Sequence, residues 1–98
     1  MERDVAIVSR GRLGNIIYKE NDLNFEMEYE FGGVNCVAMI NVPTKREWEE
    51  KTPFKKNQRN EILVFIANEV IRNKAQGCNY LITENEMFIL EHKKEENK

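Results

Sequence analysis

Polar and apolar residues alternate without a break from Leu23 to Phe31: Leu23, Phe25, Met27, Tyr29 and Phe31 fall on one side, Asn24, Glu26, Glu28 and Glu30 on the other. Period two is the period of an extended chain, so this segment is expected to form a strand with one buried and one wetted face. Ahead of it, residues 4–9 carry the short apolar run Val5, Ala6, Ile7 and Val8, and residues 15–20 make a second strand beyond a loop with Gly11 and Gly14. Asn21 and Asp22 supply the next turn, because their side chains bond their own backbone and accept unusual dihedrals. Gly32 and Gly33 close a hairpin into a fourth strand, about 35–42. There Cys36, Ala38, Ile40 and Val42 share one face while Val37 and Met39 occupy the other, so both faces of this strand need cover.

Pro43 has no N–H for a ladder and ends that strand. Thr44 with Glu47 three residues later matches a capping box, which predicts a short helix over residues 44–51 carrying Trp48. Thr52 and Pro53 break it. A long helix follows over residues 57–76, with Gly77 placed for the left-handed cap. Ile62, Leu63, Ile66, Ala67 and Val70 form one stripe at helical spacing, while Val64 and Phe65 point away from it and call for a second neighbour. Residues 80–83 and 87–90 read as a final hairpin.

The expected fold class is therefore α+β: an antiparallel β-meander of about four strands, a short and a long helix, and a C-terminal β-hairpin. The long helix is the element with enough apolar surface to cover one face of the sheet, leaving Glu26, Glu28 and Glu30 on the wet side. Residues 1–92 are expected to form a single domain and residues 93–98 a charged flexible tail. The periodicity leaves the strand order open.

Composition narrows the class without naming a function. The chain of 98 residues is 41% hydrophobic and 33% charged, the balance of a globular domain with a modest core. Fifteen basic against 17 acidic residues give a net charge of -2, so no global field steers it to nucleic acid or to an anionic membrane. No apolar run approaches the roughly 18 residues of a membrane span, and a soluble cytoplasmic protein without a membrane partner is expected. Cys36 and Cys78 lie far apart without zinc-site spacing and read as small buried hydrophobes.

Candidate chemistry is sparse. The only histidine, His92, stands beside the tail, where nothing would orient its ring, and no serine or cysteine occupies a nucleophile elbow. No catalytic residue, metal ligand set or cofactor is assigned. The row Glu26, Glu28 and Glu30 could serve a small metal-dependent hydrolase, although a glutamate-rich strand face also serves solubility and edge protection. Arg10 and Arg12 flank Gly11 in a tight loop and could grip a phosphate. The stretch from Lys45 to Arg59 holds six basic and three acidic residues with Trp48 and Phe54 interleaved. A nucleic-acid-binding reading would place Arg10, Arg12, Lys55, Lys56 and Arg59 on phosphates and the rings on bases. The leading expectation is a non-enzymatic binding or assembly domain whose partner is protein, a second copy or another chain, met through Val37, Met39, Val64 and Phe65.

Overall fold

The computed structural model describes residues 2–32 and 37–91; Gly33, Cys36, His92 and the tail expected at 93–98 lie outside them. Three long strands come first: β1 (Arg3–Arg10), β2 (Leu13–Glu20) and β3 (Leu23–Phe31). Their turns use the expected residues, with Gly11 at φ +68° and Asn21 at φ +56° in the left-handed region. Strand β4 (Ala38–Asn41) follows, then α1 (Trp48–Lys51), a single 3₁₀ turn (Lys56–Gln58), α2 (Arg59–Lys74), β5 (Asn79–Ile82) and β6 (Glu86–Leu90).

All six strands form one antiparallel sheet in the order β1-β2-β3-β4-β6-β5. The C-terminal hairpin therefore extends the meander: β6 pairs with β4, and β5 becomes the far edge. The helical layer covers one face. Ile16, Tyr18, Phe25, Met27, Tyr29, Ile40, Met87 and Ile89 from the sheet meet Ile62, Leu63, Ile66, Ala67 and Val70 from α2 in a continuous buried core. Each fully buried Ile or Leu contributes about 1.5–3 kcal/mol relative to exposure. Glu26 and Glu28 are exposed and Glu30 half-exposed on the opposite face, as the alternation requires.

Local chemistry sets the remaining elements. Glu47 N–H donates to Thr44 Oγ1 (3.1 Å) and Thr44 N–H donates to Glu47 Oε1 (3.4 Å), the reciprocal pair of a capping box just ahead of α1. The Thr44 backbone bond, with Lys51 nearby, holds the Glu47 carboxyl below its ordinary range. Trp48 is fully buried, packs edge-on against Phe25 and donates its indole N–H to the Lys55 carbonyl at 2.9 Å. The long helix is shorter than its apolar pattern suggested, because Lys55 N–H donates to the Gln58 side chain and the first turn tightens to 3₁₀. It ends at Lys74, and Gly77 takes φ +88° just beyond.

One glycine is demanded by packing. Gly14 pairs with Ser9 on one side and with Tyr29 on the other, and the Tyr29 ring lies across it to hydrogen-bond Ser9 Oγ at 2.7 Å. A Cβ at position 14 would stand 2.7 Å from the end of that ring and 2.2 Å from the Val8 carbonyl oxygen.

Candidate interaction surface

The sheet face turned away from α2 is not uniform. Strand register places Leu13, Glu30, Met39, Phe88 and Leu81 in one row across β2, β3, β4, β6 and β5. On the β3 side this face carries Glu26, Glu28 and Glu30, with Arg12 reaching Glu30 at 3.2 Å. On the side of β4, β6 and β5 it carries Met39, Phe88 and Leu90, all half-buried, and Leu81, 51% exposed. Glu86 and Asn41, a cross-strand pair, bound this apolar area at one end. These side chains face outward because Met87 and Ile89, their alternating neighbours, fill the core.

Of the four residues read from the sequence as a partner surface, Met39 lies in this apolar area. Val37 and Phe65 pack against the rim of the core instead. Phe65 meets the Tyr18 ring edge-on at 6.0 Å, and the Arg3 guanidinium sits 5.1 Å from its centroid, so β1 and β2 supply the second neighbour its helix position called for. Val64 is half-buried on the same helix. Sequence reasoning missed Phe88, Leu81 and Leu90. Their signal was present: the segment 87–90 is apolar at every position, so a strand there cannot bury both of its faces against one helix.

The five basic residues read as phosphate ligands fall in separate places. Arg10 and Arg12 stand at the β1–β2 turn, where Arg10 donates to Asn15 Oδ1 (2.7 Å) and Arg12 to Glu30 and to the Phe31 carbonyl. Lys55 and Lys56 are exposed in the connection between α1 and α2. Arg59, at the start of α2, is buried: its Nε–H donates to the Pro43 carbonyl at 3.0 Å and its terminal N–H to the Glu84 carbonyl at 2.7 Å. Burial lowers the pKa of this guanidinium from its ordinary value. Trp48 and Phe54, the rings interleaved with these cations in sequence, are both core residues.

A polar cluster that the sequence did not announce joins β1, β2 and α2. Tyr18 donates its hydroxyl to Glu20 Oε1 at 2.6 Å, and Arg3 pairs with Glu61 on the helix while its Nε lies 3.8 Å from the Glu20 carboxylate. Glu20 is buried because strand alternation sets it on the same face as Ile16 and Tyr18. Burial first, and the bond to Glu20 second, push the Tyr18 phenol well above its ordinary range. The cluster braces the open end of the sheet against the helix.

Among the described residues no three His, Cys, Asp or Glu side chains gather to hold a metal ion, and no helix is long and apolar enough to cross a membrane. Cys78 is a free thiol packed at the rim of the core. Comparison with protein-family models, with curated proteins and with solved structures finds no match to this chain.

Proposed function

We propose that this domain is a non-enzymatic binding module whose contact surface is the apolar outer face of β4, β6 and β5, centred on Phe88. One observation carries the reading: Met39, Phe88, Leu81 and Leu90 lie side by side on a sheet face opposite the helical layer, bordered by the glutamates of β3. Contiguous, partly exposed apolar side chains on a regular surface mark contacts with another chain, and a charged border supplies the polar rim of such a contact. The expected partner is a protein presenting an apolar surface.

The experiment is affinity capture with the wild-type domain and with Phe88→Glu, followed by reconstitution of the binary complex from purified components in a calorimeter. A partner held by the wild type and by Glu28→Lys but lost from Phe88→Glu supports the reading. Equal affinity for Phe88→Glu and the wild type overturns it.

A further inference from the structure

We propose that β5 is a self-pairing edge through which two copies of this chain join their sheets about a two-fold axis at Leu81. The two edges of the sheet differ in chemistry. The β1 edge carries Arg3 and Asp4 at its start and Arg10 at its end, around the uncharged run of residues 5–9, and Arg3 is tied to Glu61 on the helix. Charge on an edge strand discourages further pairing. β5 is the opposite edge, with no strand beyond it among the described residues, and its four residues Asn79–Ile82 carry no charge. Its apolar side chains are also open on both faces of the sheet: Leu81 is 51% exposed on the outer face, and Tyr80, 36% exposed, stands on the helix side with the half-buried Ile82.

The sequence of the edge is self-complementary. An isologous contact places the same strand against itself in antiparallel sense, and the alternation of side chains allows only registers in which opposed residues share a face. Centring the axis on Leu81 opposes Leu81 to Leu81 on the outer face and Tyr80 to Ile82, twice, on the inner face. Aromatic with β-branched is among the favourable cross-strand pairs. Centring it on Tyr80 instead would oppose Leu81 to Asn79. Charge agrees with the same arrangement: the chain enters β5 from the helix end bearing Lys74 and leaves it at Glu84, so antiparallel pairing sets the basic approach of each copy beside the acidic exit of the other. The joined sheets also bring Phe88 and Leu81 of both copies into one continuous row.

Light scattering after gel filtration tests this. The wild-type chain is expected at twice its 11.6 kDa monomer mass, Leu81→Lys at the monomer mass with a cooperative melt that no longer depends on concentration, and Phe88→Glu still at the doubled mass. In a background of Cys36→Ser and Cys78→Ala, Leu81→Cys is expected to form a covalent dimer under mild oxidation many-fold faster than Leu23→Cys, which is similarly exposed but lies on β3. A wild-type chain that stays monomeric at millimolar concentration overturns the proposal. So does a doubled mass that Phe88→Glu abolishes and Leu81→Lys leaves intact: copies would then meet face to face, and the binding role of the face would survive the failure of the edge.

Discussion

Strands β1–β3 and the strands β4, β6 and β5 share one inner layer but present different outsides. The first group is long, eight, eight and nine residues, and its outer face mixes Asn15, Lys19 and the three glutamates of β3 with Ala6, Val8, Leu13 and Ile17. The second group is short, four, five and four residues, and its outer face is dominated by Met39, Phe88, Leu81 and Leu90. The long half is stabilised on the helix side by aromatic packing and by the Arg3, Glu61, Tyr18 and Glu20 cluster. The short half has fewer residues per strand with which to hold its register, and its outward apolar side chains adjoin one another across the strands. A domain this small has little stability in reserve, so keeping such surface is intelligible where another chain covers it.

Substitutions can break or sharpen that contrast. The largest effect is expected at Ile66, fully buried in the core face of α2. Ile66→Ala should cost about 2–5 kcal/mol in urea unfolding, by lost burial and the cavity left behind; a smaller loss would mean that the shared layer is not the common support of the two halves. In the long half, Tyr18→Phe removes a buried bond to a carboxylate and should cost about 1.5–3 kcal/mol near neutral pH.

The same tyrosine sets an alkaline limit. Its folded pKa lies above that of the unfolded chain, so its contribution is complete below about pH 10 and declines as the pH rises from there toward the folded value. Melts of the wild type between about pH 9 and 11 should fall more steeply than those of Tyr18→Phe. Matching slopes would show that the phenol is not held protonated by the fold.

In the short half, Phe88→Glu should change stability by about 1 kcal/mol or less, since it sits on an outer face. A loss as large as that of Ile66→Ala would erase the distinction between the two sides of the sheet. The smallest effect belongs to Glu47. Its carboxyl ionises more readily in the folded chain, so its contribution is present above its ordinary pKa of 4.5 and disappears as the pH falls through the lower folded value. Glu47→Gln should lower Tm slightly at pH 7 and leave it unchanged at the acid end, flattening the acid side of a Tm-against-pH curve.

Period two over Leu23–Phe31 and the stripe through Ile62, Ile66 and Val70 were enough to predict the layered fold, because a face that alternates or repeats must be buried against something. The capping box at Thr44 and Glu47 and the left-handed Gly77 were equally readable from local chemistry. Strand order was not, since antiparallel pairs of similar apolarity do not specify which strand receives a returning hairpin. The neighbours of Phe65, Tyr18 and Arg3, were not readable for a related reason: a helical wheel gives a direction but not the course of the twisted sheet beside it. Arg59 illustrates a different limit. Nothing in a run of lysines and arginines tells which one will find two carbonyls and be buried.

Arg59 links the exit of β4 at Pro43, the β5–β6 turn at Glu84 and the first turn of α2 through a single side chain. Both acceptors are backbone carbonyls, which do not titrate, and a guanidinium holds its proton in proteins. The short half of the sheet is thus riveted by a fastener blind to acidity. Whatever docks on Phe88 or along β5 meets a frame whose fastening does not depend on protonation between neutrality and mild acidity.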